Sequence, residues 1–160
     1  MPDYARTEDI VKRVLAGMQT APRRITLDQA KDILAAVEAE AARIGVKAVT
    51  AVSDAAGRPI AVHCMDGAYI GSFDVALNKT YTSVAFQMST EKLGKLAAPG
   101  ESLYGIQFTN EGKIVIFGGG EPLYAGGEMI GAFGVSGGTA EQDTYLGAFG
   151  KTYAENLFTR

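Results

Sequence analysis

Between residues 118 and 138 the chain places nine of its 20 glycines: Gly118-Gly119-Gly120-Glu121-Pro122, then Gly126-Gly127, then Gly131-Ala132-Phe133-Gly134-Val135-Ser136-Gly137-Gly138. Glycine is required where backbone turns with φ > 0, or where another backbone or a ligand comes too close for a Cβ. The run therefore predicts a tight hairpin and a sheet surface open to close approach. It ends at Thr139-Ala140-Glu141-Gln142-Asp143, which reads as a helix start. Two nucleotide templates fail on it. A phosphate-binding P-loop needs Lys followed by Ser or Thr after its second glycine, and neither Gly120-Glu121-Pro122 nor Gly137-Gly138-Thr139 supplies them. A dinucleotide fingerprint needs its glycines in a strand-to-helix turn of a βαβ unit, whereas Gly131, Gly134 and Gly137 lie in or just after a strand. Two readings of Ser136-Gly137-Gly138-Thr139 remain open: a helix N-terminus holding a carboxylate or phosphate, or glycines that serve only turns and close packing.

Around this run the periodicity predicts mixed α and β structure. Ile10, Val11, Val14, Leu15 and Met18 form a helical stripe over residues 7–19, broken at Ala21-Pro22-Arg23-Arg24. Thr26-Leu27-Asp28-Gln29 is a capping box opening a helix with Leu27, Ala30, Ile33, Leu34, Val37, Ala41 and Ile44 on one face, ending at Gly45. Val46–Ser53 and Pro59–Met65 alternate as a hairpin around Asp54-Ala55-Ala56-Gly57. A helix over Ser72–Met88 has one apolar line of Phe73, Leu77, Thr80, Val84 and Met88, and a second of Val75, Lys79, Thr82 and Phe86. Such a helix is expected to be covered on both sides. Thr90–Leu96 is a short helix. Lys113–Phe117, Pro122–Ala125 and Met129–Ser136 read as strands, with a Gly126-Gly127 turn. A second capping box at Thr139 and Gln142 opens a last helix with Leu146, Phe149, Tyr153 and Leu157 in line. Hairpins rather than crossovers join the strands, so the sheet is expected to be antiparallel.

Composition narrows the function classes. A chain of 160 residues, 47% hydrophobic and 21% charged with net charge -3, fits one soluble domain and argues against nucleic acid or an anionic membrane as partner. No apolar run approaches the roughly 20 residues that span a bilayer. The opening Met1–Asp9 is polar and acidic, so a cytoplasmic protein is expected. The single Cys64 excludes an internal disulfide and multi-cysteine zinc patterns.

Candidate chemistry gathers in two places. In His63-Cys64-Met65-Asp66 a strand would turn His63 and Met65 to one face and Cys64 to the other. Histidine is a common metal ligand, and His and Met are both axial ligands of haem iron. His63 is therefore the candidate metal residue, against the alternative of an ordinary structural histidine. A Cys–His nucleophile is not expected, because the two neighbours point oppositely. Lys79 lies among apolar neighbours. It reads as an anion anchor, as a base of lowered pKa, or as a stem lying along apolar surface with its charge in water.

The ordered set of Thr26–Gly45, Asp54-Ala55-Ala56-Gly57, Met65-Asp66-Gly67-Ala68, Ala76-Leu77-Asn78-Lys79-Thr80, Gly119-Gly120-Glu121-Pro122 and Gly131–Gly138 with Asp143 resembles the GlcG/HbpS family. That family includes the C-terminal domain of PduO-type corrinoid adenosyltransferases, and the resemblance covers about residues 25–158. It implies an α+β, profilin-like, three-layer α/β/α domain over 23–160 with a five-stranded antiparallel sheet, built into homo-oligomers, residues 1–22 being a helical extension. The implied function is a small-ligand-binding accessory protein for haem or a corrinoid (cobalamin) in a bacterial catabolic or cofactor-handling pathway. The alternative is a small isomerase or hydrolase acting on a carboxylate metabolite, with Lys79 as catalytic base or anion anchor. The family motif maps onto Met65, Asp66, Gly67, Lys79, Thr80, Gly119, Gly120, Pro122, Gly134, Ser136, Gly137 and Asp143, which it implies ring one pocket; His63 is this chain's own addition. The adenosyltransferase portion of the PduO version has no counterpart in these 160 residues, so adenosyl transfer is not expected.

Overall fold

The computed structural model describes residues 4–18 and 24–159. Its elements run α1 (Tyr4–Met18), α2 (Leu27–Arg43), β1 (Val49–Asp54), β2 (Pro59–Cys64), α3 (Ser72–Phe86), α4 (Thr90–Leu96), β3 (Gly120–Ala125), β4 (Glu128–Ser136) and α5 (Ala140–Phe158). α1 matches the predicted first helix; most of the expected break after it lies outside the described residues. Both capping boxes form: Thr26 and Gln29 exchange bonds of 3.0 and 3.1 Å, and Thr139 and Gln142 bonds of 2.9 and 3.2 Å. Each satisfies two amides a helix start otherwise leaves orphaned.

The strands form one antiparallel sheet in the order β2-β1-β4-β3. α2 and α5 pack together on one face, and α3 covers the other. The main core lies under α2 and α5, where Ile33, Leu34, Val37, Val52, Leu123, Phe133, Val135 and Leu146 are fully buried. Each such aliphatic side chain contributes roughly 1.5–3 kcal/mol relative to exposure. Of the predicted stripes, Ile10 and Val11 in α1, Leu27 at the start of α2 and Tyr153 in α5 are exposed, and Ala154 is buried in place of Tyr153.

Two expectations are corrected. The sheet has four strands, not five, because Lys113–Phe117 forms no strand. Ile114 and Val115 are buried, yet the segment pairs with a side chain: Val115 N–H donates to Thr82 Oγ1 at 3.0 Å, and that hydroxyl lies 3.3 Å from Lys113 O. The segment stays buried at Ile114 and Val115, but the ladder is missing, since the Thr82 hydroxyl of α3 takes the Val115 N–H that a neighbouring strand would have taken.

The second correction concerns α3. Its sheet-facing residues are small or polar (Ala76, Lys79, Thr80 and Ser83), while Phe73 of the predicted apolar line is 43% exposed. The glycines opposite explain this. A Cβ on Gly134 would stand 2.3 Å from Ala76 O, and one on Gly120 2.8 Å from Lys79 O, so helix backbone lies directly on sheet backbone. No bulky side chain fits at these two points of contact: Leu77 packs beside them, against Val49, Ala51 and Ala76, and Phe73 turns outward.

Candidate functional site

Close approach of α3 forces Lys79 beneath the glycine run. Its side chain is fully buried, and Nζ donates to Val135 O at 2.7 Å and to Asp143 Oδ2 at 2.8 Å. The ammonium also lies 4.7 Å from the centre of the Phe117 ring, within cation–π range. Asp143, itself buried in the first turns of α5, uses Oδ1 to accept the Gly138 N–H at 2.9 Å. Gly119 leaves the space for this crossing. At φ +113°, a Cβ there would stand 2.7 Å from Val135 O and 2.8 Å from Lys79 Nζ. Burial pushes the Lys79 ammonium below the ordinary lysine value, opposed by the Asp143 carboxylate beside it.

This arrangement ties α3 to the start of α5 around the end of the sheet. It presents no open face of Lys79 to a substrate. The α5 N-terminus is likewise supplied from within, by Asp143 on Gly138 N–H and by the Thr139–Gln142 box. Of the two readings of Ser136–Thr139, the carboxylate found at this helix start is the protein's own Asp143. The neighbouring motif residues are packed similarly. Thr80 donates to Leu77 O at 2.8 Å, Gly120 N–H to Thr90 Oγ1 at 3.0 Å, and Ser136 Oγ lies 3.2 Å from Ser72 Oγ. A Cβ on Gly137 would meet Lys47 O at 2.4 Å.

His63 and Met65 stand apart from this cluster, on the α2 side of the sheet. β1–β2 pairing sets His63 opposite Thr50, and both reach Glu38 of α2. His63 Nδ1 lies 2.7 Å from Glu38 Oε1, and Thr50 Oγ1 donates to the same oxygen at 3.3 Å. An ionised carboxylate only accepts, so Nδ1 carries the hydrogen, and in the neutral ring that tautomer leaves the lone pair on Nε2. The imidazole, 41% exposed, is thus oriented by an acid behind it. Glu38 also lines a groove of about 470 Å³ with Ala42, Gly45, Val46, Lys47, Met65 and Asp66. Met65 Sδ accepts the Ala48 N–H at 3.4 Å, and the Lys47 stem lies on Gly67, 3.0 Å from where a Cβ would be. Among the described residues, no group of three or more His, Cys, Asp and Glu side chains could hold a metal ion.

The motif residues therefore fall into two places: Lys79, Thr80, Gly119, Gly120, Gly134 and Asp143 in a packed crossing, and Met65, Asp66 and Gly67 at a half-open corner beside His63. Glu38 escaped the sequence reading. Its signal was an acid four residues after Leu34 and three before Ala41, on the shoulder of a buried stripe.

A family model described as haem degrading protein HbpS-like matches residues 25–150. The chain belongs to the HbpS-like family. A relative from Citrobacter freundii, an uncharacterised 15.0 kDa protein in the dhaT-dhaS intergenic region, is 48% identical over 122 residues, 76% of this chain and 86% of that one. The corrinoid adenosyltransferase PduO of Salmonella typhimurium is 33% identical over 141 residues, 84% of this chain; the match spans only 42% of PduO. Among solved structures, the PduOC–haem complex superposes with a TM-score of 0.78 at 31% identity, over 81% of this chain and 94% of that one. This HbpS-like chain thus shares family and fold with a protein whose crystal structure is that of a haem complex. Among the described residues, no helix is long and apolar enough to cross a membrane.

Proposed function

We propose that this HbpS-like chain is a haem-binding accessory protein in which Nε2 of His63 ligates the iron and Glu38 orients the ring. The carrying observation is the 2.7 Å His63–Glu38 contact, the arrangement by which metal-binding histidines are usually held. The adjoining groove lies within the range of about 300–1,000 Å³ usual for small-molecule sites. Val46, Ala42 and Met65 give it apolar surface for a macrocycle, and the exposed Lys47 supplies a cation for an acidic side group. Bound haem would contribute an iron capable of ligand exchange and one-electron chemistry; the chain contributes orientation, apolar cover and charge. Lys79 has no catalytic part in this reading, because its ammonium is enclosed.

Titration of the purified protein with haemin should give a shifted Soret band at one equivalent, and His63→Ala should abolish the shift. Hydroxocobalamin in place of haemin separates a corrinoid site from a haem site. A Soret shift unchanged in His63→Ala would remove His63 as the ligand, and no shift in the wild type would remove the haem reading.

A further inference from the structure

A second cleft, of about 700 Å³, opens between α4, residues 116–118 and the start of α5, and it shares no lining residue with the groove at the His63 corner. Two glycines shape it. A Cβ on Gly94 would overlap Ile116 O, and one on Gly118 would overlap Thr144 Oγ1, so the segment between them sits deep against both helices. The walls carry two aromatic rings, Phe117 at 44% and Tyr145 at 46% exposed, with Ile116, Ala98 and Ala140 as apolar surface beside them. Both rings are held from behind: the Tyr145 hydroxyl donates to Glu40, and the Phe117 ring centre lies 4.7 Å from the buried Lys79 ammonium.

The charges around the cleft select the ligand. Its neighbouring cations are already matched by acids: Lys95 lies 2.8 Å from Glu91, Lys79 lies 2.8 Å from Asp143, and Arg43, beside Tyr145, lies 2.6 Å from Glu40. Among the described residues, no basic side chain pairs with Glu141, which lines the same cleft. Its own amide and the Thr139 hydroxyl hold the Glu141 carboxyl below the usual carboxylate range, so it stands ionised there. Close to Glu91 is Glu121, whose carboxyl is pushed up by burial; Lys151, 3.6 Å away, opposes this, and the charges of Glu91 and Glu155 add to it. The cleft is therefore acidic as well as aromatic.

Aromatic faces beside an unmatched carboxylate recognise organic ammonium ions, whose charge the rings attract and whose apolar body they cover. We propose that this cleft binds a small aromatic ammonium ion, with its ring against Phe117 and Tyr145 and its charge towards Glu141. Tyr145 follows Glu141 by four residues on α5, so ring and carboxylate share one helix face. An anion of the same shape would meet Glu91 and Glu141 with every nearby cation already paired.

The test uses the full chain without haem, so its failure would leave the haem reading standing. Tryptamine is the probe, because the chain has no tryptophan and indole emission excited at its red edge reports the ligand alone. Its fluorescence anisotropy should rise and saturate with a Kd between about 0.1 and 10 mM. Indole-3-propionate, with the same ring and the opposite charge, should bind at least about tenfold more weakly. Phe117→Leu removes one aromatic face and should weaken tryptamine by about 3–10-fold. Ala98→Leu fills the cleft from its apolar side and should weaken it by about tenfold or more. No saturation by about 10 mM, equal or tighter binding of the propionate, or wild-type affinity in either folded variant overturns the proposal. If neither variant folds, wild-type NMR decides: Overhauser contacts from the indole to the Phe117 and Tyr145 rings support the site, and contacts only elsewhere overturn it.

Discussion

Lys79→Met tests the crossing beneath the glycine run. It leaves the Asp143 carboxylate buried with only the Gly138 N–H as partner, and it takes a donor from Val135 O. Breaking a buried pair by removing one member costs about 3–5 kcal/mol, because a charge is stranded out of water. In a chain of this size 1 kcal/mol moves Tm by roughly 2–4 °C, so a fall of about 6–20 °C is expected. Asp143→Asn strands the ammonium instead and should cost a similar amount. The double variant strands no charge, and Asn can still accept from Gly138. Its loss should be only about 1–2 kcal/mol, near that of one or two neutral hydrogen bonds. Urea unfolding of the four proteins gives the cycle, whose coupling should far exceed the ~0.3–0.5 kcal/mol scatter of independent sites. pH supplies a second readout. Burial lowers the folded Lys79 pKa, so the unfolded chain binds that proton more tightly, and wild-type stability relative to Lys79→Met should rise as pH climbs towards about 10.4. Additive losses, or a single-variant loss below about 1 kcal/mol, would refute a buried, mutually neutralising pair.

Three further outcomes follow from the same geometry. Gly119→Ala forces a Cβ against Val135 O and Lys79 Nζ at positive φ, and should lower stability by about 1–3 kcal/mol in thermal unfolding, whereas Gly45→Ala, with no atom near its Cβ, carries the backbone strain alone. Arg43 and the Tyr145 hydroxyl hold the Glu40 carboxyl down at about 2, so the α2–α5 tie is complete above pH 4.5 and is lost as pH falls towards 2; Glu40→Gln should flatten the urea midpoint over that window. Glu38→Gln should weaken haemin binding by about 10–100-fold while the protein stays folded, since Glu38 holds the His63 ring through Nδ1 without itself being the ligand.

Local signals were read faithfully wherever the deciding interactions were local. Thr26 and Gln29, and Thr139 and Gln142, cap their helices because the bonds span three residues. The Gly126-Gly127 turn forms because both residues need φ > 0, here +61° and +82°. Lys113–Phe117 misled because a short apolar run is not a ladder. Its partner is the Thr82 hydroxyl, 33 residues from Val115, and no local pattern announces that bond. The two apolar lines of α3 misled for a related reason, since which face turns inward depends on how near the sheet lies.

The sequence by itself determined where helices begin, which strands form hairpins, that the sheet is antiparallel, and, through its ordered motifs, the family. Tertiary structure alone decided what those motifs do. Glycines that looked like a cradle for a foreign anion admit Lys79 to Asp143 instead, because α3 lies on the sheet with only hydrogen atoms between them. Histidine in a strand became an oriented imidazole only when α2 brought Glu38 to it across 25 residues of chain. Caps and turns are decided within a few residues. Burial, charge pairing and the facing of a helix depend on distances between elements that no short stretch of chain contains.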